Sequence, residues 1–430
     1  MKRVSNLKSQ ISNFRSFGWA AFLGCSWTWC IGMFLPVLLV RDMGLWGWIV
    51  FAAPNVVGAA AMGWVLAEPG RSERMVRDHL FACAAFSAVT IAFHVFFLLW
   101  FVPRLVGLHA VAIALALAAV YLLFTVRRAQ LDLPVAVLAG AFSLTMLGLF
   151  LVRAGPPAIP LTGSNSLGAA WLAPVCIFGF LLCPYVDLTF HRARQALGPT
   201  ESRIAFGIGF GVCFFSMIVF SLFYAGMLWP LVGPGWRDQL RPALGAIIAA
   251  HLIVQIAFTL SVHVRSFIVA ELKPSAVLLL CILAQVALFL GLATNVLPRF
   301  HGLDAGEVIY RLFMAFYGLV FPTYVWLCIV PGRDGRSGVT PAKVRAMVLA
   351  GLVAAPMFWM GFIENRMMWL VPGLMVVLLS RFAVPRDGLL PLTPGEGEGE
   401  LRAPQLAGGS SSPTSPHPGP LPEGEGEKRG

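Results

Sequence analysis

The sequence predicts an all-α protein that crosses a membrane about twelve times. Of its 430 residues, 58% are hydrophobic and only 12% are charged, a balance that is far from that of a typical soluble domain. Apolar runs of about 20 residues, the length that a helix needs to cross the hydrocarbon core, recur along the chain. The runs are continuous and do not alternate with polar residues, which argues against a transmembrane β-barrel.

Twelve runs are long enough to be spans. They cover residues 17–40, 44–67, 79–102, 107–126, 133–152, 169–190, 204–226, 244–267, 275–294, 309–331, 343–362 and 367–384. The segment 1–16 before them is polar and basic. The segment 385–430 after them is rich in Pro, Gly, Ser and Glu without apolar periodicity, so we expect a disordered tail there.

The basic residues indicate the orientation. With an even number of spans and the N-terminus inside, 23 of the 31 Lys and Arg residues fall on the cytoplasmic side. This bias predicts that both termini are cytoplasmic. It also accounts for the net charge of +11, so we expect the lipid bilayer and no nucleic acid as a partner. The segment PHPGPLPEGEGE in the tail resembles a translated interspersed bacterial repeat, so the tail is expected to have no function. The expected location is the cytoplasmic (inner) membrane of a bacterium.

The first span is interrupted by residues that weaken a helix. Its segment FLGCSWTWCIGMFLP, residues 22–36, contains Gly24, Gly32 and Pro36, with Ser26 and Thr28 between them. This pattern predicts locally unwound backbone, which is tolerated at membrane depth only where it faces protein or water. The alternative is that the glycines only permit close helix packing.

The sixth span is interrupted too, in PVCIFGFLLCPYVDLTFHRAR, residues 174–194. Gly179 weakens the helix, and Pro184 removes a backbone donor and clashes one turn back. Asp187 and His191 follow, four residues apart and on one helix face. An ionisable pair in a membrane segment indicates a functional site. Alternatively, the span has already reached the headgroups at Asp187, and Arg192 and Arg194 only anchor it.

The eighth span carries a polar stripe. His251, Gln255, Thr259 and His263 recur at intervals of four, while Ser261 lies off the stripe. Lipid cannot satisfy these groups, so they are predicted to face the bundle or a wet cavity, and we expect the stripe to face the broken first span. The alternative is a seam of interhelical hydrogen bonds, each contributing about 0.6 kcal/mol.

Other polar residues are predicted to be structural. Asn55 in the second span is expected to form a helix-to-helix hydrogen bond, and His94 in the third is expected to be a satisfied interior histidine. Asp304 and Glu307, in the loop before the tenth span, are expected to be solvated. The eight cysteines lie inside spans without a CxxC motif, so no metal site or disulfide is predicted.

The order of these features resembles the LeuT-like fold of the amino acid–polyamine–organocation superfamily. That fold consists of two inverted five-helix repeats, here about 17–152 and 169–331, and the residues 343–384 would add two helices. The resemblance implies that the broken first and sixth helices form a binding site at the midplane. The rival twelve-span fold is that of the major facilitators, which has a long central loop where this chain has a short one.

A narrower resemblance lies in CPYVDLTFHRAR. It is similar to the Asn-Pro-x-Asp-aromatic-Ser/Thr-Arg pattern on the sixth helix of nucleobase–cation symporters, with Cys183 in place of Asn and a spacing that differs by one. The eighth span also resembles that of sodium–solute symporters. Their general sodium site uses first-helix carbonyls and eighth-helix hydroxyls, which the resemblance would assign here to Thr259 and Ser261.

These features together predict a secondary active transporter that couples sodium or protons to the symport of a small polar organic solute. The alternatives are a transporter-like sensor or subunit without transport activity and, with less support, a membrane-embedded enzyme. No catalytic residue, metal or organic cofactor is predicted. The candidate substrate-binding residues are Ser26, Trp27, Thr28, Cys183, Tyr185, Asp187 and Gln255. The candidate ion-coupling residues are Thr259, Ser261, His251, His263, Asp187 and His191.

The predicted orientation can be tested by labelling. A cysteine introduced into the loop 153–168 should react with a membrane-impermeant maleimide in intact cells, because that loop is predicted to lie outside. The same cysteine placed in the loop 68–78 should react only after permeabilisation. The opposite pattern would reverse the orientation.

Overall fold

A computed structural model places helix at every predicted span. It describes residues 2–128, 131–155, 157–233, 241–269, 274–294, 296–331 and 337–384. Within these ranges the secondary structure is helical and contains no β-strand. The predicted tail, 385–430, lies outside the described residues.

Seventeen α-helices form the described part of the chain. They are α1 Lys2–Trp27, α2 Cys30–Met43, α3 Leu45–Val65, α4 Arg71–Asp78, α5 Leu80–Trp100, α6 Val102–Val106, α7 His109–Arg127, α8 Asp132–Ala154, α9 Gly168–Leu182, α10 Leu188–Ala196, α11 Pro199–Ile208, α12 Phe215–Leu228, α13 Pro242–Val269, α14 Pro274–Ala293, α15 Ala305–Tyr324, α16 Pro341–Phe362 and α17 Leu370–Leu379. Two π-helical segments, Gly209–Phe214 and Val325–Ile329, extend α11 and α15. Short 3-10 turns lie at Cys183–Val186, Trp229–Val232, Met367–Trp369 and Ser380–Ala383.

The helices have membrane-spanning character. Among the described residues, 8 helices are long and apolar enough to cross a bilayer, and a bent pair raises the number to 9. Shorter apolar helices, His109–Thr125, Leu280–Ala293 and Met367–Ala383, correspond to the fourth, ninth and twelfth predicted spans. The prediction of an all-α, multi-pass membrane protein is confirmed, while the count of twelve spans stays a prediction.

Both predicted interruptions are present. The first span bends by 56° between Arg15–Trp27 and Cys30–Met43, with Trp29 in extended backbone at the break. In the sixth span, α9 ends in the 3-10 turn Cys183–Val186, and Asp187 is extended before α10 begins. Pro184 causes this change because it has no N–H to continue the α-helical pattern.

Glycines bring other helices close to both breaks. At Gly24 on α1, an added Cβ would lie 3.0 Å from the Gly209 carbonyl oxygen of the π-helical segment. At Gly58 on α3, an added Cβ would clash with the Phe180 carbonyl, one turn before Pro184. Gly24 therefore serves close packing, the alternative interpretation, while the helix itself breaks one turn later.

One end of the bundle contains a buried ionic cluster, here called the Glu307 cluster. Glu307, 1% exposed at its side chain, accepts hydrogen bonds from Arg41 at 2.5 Å and Arg311 at 2.9 Å. Asp42 pairs with the same two arginines, at 2.7 Å and 2.6 Å. The prediction that Glu307 is solvated is wrong, because α2 and α15 bring these arginines to it.

Asp304 is also paired rather than solvated. Its carboxylate accepts from Arg104 at 3.1 Å and from the Trp100 indole at 2.9 Å, and it caps α15 through the Gly306 N–H. The residue thus ties the end of α5 and α6 to the start of α15.

The opposite end is joined by Asp132, the first residue of α8. Its buried carboxylate pairs with Arg192 on α10 and Arg265 on α13, and the Tyr121 hydroxyl donates to it at 2.8 Å. Arg194 donates to the carbonyls of Leu66 and Ala67 and also to that of Leu197. Arg192 and Arg194 therefore both have partners within the protein.

Glu307→Gln is predicted to lower the free energy of unfolding by about 3–5 kcal/mol, because it leaves the buried Arg311 and the partly buried Arg41 with one acid. Glu68→Gln is the matched control, since Glu68 pairs with Arg74 at the surface, where both side chains are more than half exposed. Its removal should have little effect. Thermal unfolding of the purified protein in detergent measures both, and equal melting temperatures would contradict the role assigned to the cluster.

Candidate functional site

The break in the first span is held by side chains from its neighbours. The Trp27 indole donates to Asn55 Oδ1 on α3 at 2.7 Å, which confirms the helix-to-helix hydrogen bond predicted for Asn55. The Trp29 indole donates to the Ser26 carbonyl at 2.5 Å. The Tyr310 hydroxyl of α15 donates to the Cys30 carbonyl at 2.9 Å.

His94 caps the start of α2. Its Nε2 accepts from the Cys30 N–H at 3.3 Å, and its Nδ1 lies 2.7 Å from the Thr90 carbonyl. An N–H can only donate and a carbonyl can only accept, so the neutral tautomer with hydrogen on Nδ1 fits both contacts. The prediction of a satisfied interior histidine is confirmed, and its function is to satisfy backbone freed by the break.

The break in the sixth span is centred on Asp187, which is fully buried. Asp187 Oδ1 accepts from the Thr189 N–H and the Thr189 hydroxyl, each at 2.7 Å. The Thr189 hydroxyl lies 3.2 Å from the Ser26 hydroxyl, so the two breaks touch. Asp187 Oδ2 has no hydrogen-bond partner. The carboxyl is thus enclosed by protein.

A cavity of about 70 Å³ lies beside the two breaks. Trp27, Trp29 and Cys183 line it at the breaks, and its walls come mainly from α2, α9 and α15. Asn55 and Tyr317 are among its few polar side chains, and no charged side chain lines it. The arrangement suits a small molecule whose surface is mostly apolar.

The polar stripe of α13 faces the bundle interior, and its four residues are fully buried. His251 Nδ1 and Gln255 Nε2 both contact the Ser143 hydroxyl of α8, at 2.9 Å and 2.8 Å. The His263 ring packs edge-on against Trp29 at the first break, with centroids 5.7 Å apart. One polar atom on each residue lacks a partner: His251 Nε2, Gln255 Oε1, Thr259 Oγ1 and His263 Nε2.

Several candidate residues lie away from the cavity. The Ser261 hydroxyl donates toward the Ala118 carbonyl of α7, so it does not join Thr259. The Thr28 hydroxyl bonds back to the Gly24 carbonyl, and Gln255 reaches α8 instead of the cavity. These three side chains are not grouped with Trp27 and Cys183.

His191 and Tyr185 form a junction with α4. His191 Nδ1 lies 2.9 Å from the Ser72 hydroxyl, and His191 Nε2 lies 2.9 Å from the Tyr185 carbonyl. The His191 ring therefore points to α4 and makes no hydrogen bond with Asp187, although spacing placed the two on one face. Asp187 lies at the cap, just before the helix begins.

Sequence reasoning missed other parts of the cavity. Trp29 and Tyr317 line it but were not candidates, although Trp29 lies in the interrupted segment 22–36. Phe180 and Phe362 also line it, and their sequences carry no signal that separates them from ordinary apolar span residues.

Comparison with known proteins does not identify this site, so its function is inferred from the chemistry of its residues. A scan against protein-family models and a search of curated proteins found no match to this chain. In the part of the chain that the structure describes, no group of three or more His, Cys, Asp or Glu side chains is placed to hold a metal ion.

His94→Leu should destabilise the protein by about 1–3 kcal/mol, because it leaves the buried Cys30 N–H and Thr90 carbonyl without their side-chain partner. His109→Leu is the matched control, because His109 is exposed at the start of α7. Thermal unfolding in detergent checks the pair, and a His94→Leu protein as stable as the control would show that the cap is dispensable.

Proposed function

We propose that this protein is a secondary active transporter with a LeuT-like fold, and that it carries a small organic solute in symport with a cation. The observation that supports this most is the contact between the two broken spans, with a cavity beside them. Interrupted helices at membrane depth are costly and occur where they line a binding site or a path.

The cavity favours a neutral solute with an apolar body. Its aromatic walls at Trp27 and Trp29 and its lack of charged side chains would leave a charged solute without a counter-charge, which is strongly unfavourable in a buried site. Asn55 and the thiols of Cys176 and Cys183 offer a limited number of polar contacts. The solute is therefore proposed to be less polar than the sequence alone suggests.

Gly179→Phe is the sharpest test of the solute site. Gly179 lines the cavity, and an added Cβ there meets nothing within 4 Å, so the phenyl ring should fill the cavity without breaking the fold. Gly226→Phe is the matched control, because Gly226 is exposed on α12 and its Cβ also meets nothing within 4 Å.

Both variants and the wild type would be screened for solute-induced shifts in melting temperature. The panel contains neutral aromatic and aliphatic amides and alcohols together with charged amino acids. A solute that stabilises the wild type should stabilise Gly226→Phe and fail to stabilise Gly179→Phe. The same solute, radiolabelled, should exchange across proteoliposomes that contain the wild type or Gly226→Phe.

Three outcomes would contradict the proposal. Binding that survives in Gly179→Phe would move the solute site away from the cavity. Binding that depends on Gly179 without any exchange across the liposome membrane would favour the transporter-like sensor instead. Chemical conversion of the bound solute would favour the membrane-embedded enzyme.

A further inference from the structure

Asp187 differs from the other buried acids of the described chain. Asp42, Asp132 and Glu307 each pair with two arginines. Asp187 is equally buried, but it forms no ion pair with any described residue, and its Oδ2 has no hydrogen-bond partner. The N-terminus of α10 offers it a partial positive charge, yet an ionised carboxylate with one unsatisfied oxygen remains costly in such a position.

The surroundings of Asp187 combine the hydroxyls of Thr189 and Ser26 with soft thiols. Cys83 on α5 and Cys183 in the 3-10 turn lie close enough to interact electrostatically with it. Thiols are soft ligands, whereas hard cations prefer oxygen. A proton needs no such cage, because it forms a single O–H bond with Oδ2 and removes the charge.

The alternative cation position, near Thr259, is not built as the symporter resemblance implies. Ser261 is turned toward α7. The carbonyls of Gly24 and Cys25 at the first break already accept from the Thr28 N–H, and that of Ser26 accepts from the Trp29 indole. The Thr259 hydroxyl therefore has no second hydroxyl from Ser261 beside it, and the nearby first-span carbonyls are already engaged.

We propose that the coupling cation is a proton, and that Asp187 Oδ2 is the atom that carries it. This inference rests on the transport function proposed above. The proton comes from water on the side where the solute enters and returns to water on the other side. When the proton binds, it weakens the N-cap of α10, because that cap favours the ionised form of the Asp187 carboxyl. The same cap holds Thr189 against Ser26, so protonation acts directly on the contact between the breaks.

Among the described residues, three titratable side chains on neighbouring elements interact electrostatically with Asp187: Cys83 on α5, Cys183 in the 3-10 turn and Tyr317 on α15. On the other helices packed against α10, titratable groups contact other partners; on α1, Arg15 donates to the Ala196 carbonyl and Cys25 to that of Ala136. On α13, His263 contacts Ser87 and Arg265 contacts Asp132. On α4, Arg71 and Glu73 lie near Tyr185 and His191. On α11, Glu201 accepts from the Gly198 N–H. Asp187 is therefore the acid at this junction whose protonation the test must detect.

The experiment uses the full-length protein in lipid and needs no solute. Infrared difference spectra between acidic and alkaline buffer should show a carboxylic C=O band in the wild type. Asp187→Asn should lose this band, because an amide does not titrate, while Asn keeps the cap to Thr189. Thr259→Val should keep the band, and replacing sodium by choline should change neither the band nor the melting temperature.

A second variant, Asp187→Glu, is used if the Asn variant does not fold. It keeps a carboxyl, so the infrared band should shift and not disappear. An unchanged band in both Asp187 variants would overturn the proposal. Sodium-dependent stabilisation that is present in the wild type and lost in Thr259→Val would also overturn it, and would leave a sodium-coupled transporter. Failure of the proteoliposome exchange alongside an Asp187-dependent band would count against the transport function and not against the proton site.

Discussion

The need to satisfy backbone polar groups where the first span breaks organises much of this bundle. Hydrocarbon offers no hydrogen bond to a freed N–H or C=O, so neighbouring helices must supply the partners. His94 on α5 accepts from the Cys30 N–H, Tyr310 on α15 donates to the Cys30 carbonyl, and Asn55 on α3 fixes the Trp27 indole. Three helices are thereby held around the break at Trp29. The cavity lies at the same place because the indoles of Trp27 and Trp29 are oriented by these bonds.

Among the described residues, every buried acid but one is paired with arginine. The Glu307 cluster and the Asp132 cluster lie at opposite ends of the bundle, and each joins helices that are distant in sequence. Between them, the interior holds the single acid Asp187, in the described residues, without an arginine. A paired cluster mainly fixes geometry, whereas an unpaired acid responds to its surroundings, so the two kinds of site have different consequences.

The sequence predicted correctly those features of a helix that depend on its own residues. Gly and Pro predicted both interruptions, and the interval of four predicted the buried stripe on α13. It was misleading where distant residues meet: Glu307 looked solvated because Arg41 lies 266 positions away in the chain. Ser261 looked like a partner of Thr259, but two residues along a helix rotate a side chain to the other face. The apolar cavity wall from Phe180 and Phe362 could not be recognised, since span residues of any role are apolar.

The buried stripe on α13 also bears on how the chain enters the membrane. A helix that carries His251, Gln255, Thr259 and His263 is poorly suited to lie alone in lipid, since each polar side chain disfavours insertion. Its partners Ser87 on α5 and Ser143 on α8 precede it in the chain, so they are synthesised first. The eighth span can therefore pack directly against helices already in place when it leaves the translocon. Its insertion then depends on contacts with those helices more than on partitioning into lipid.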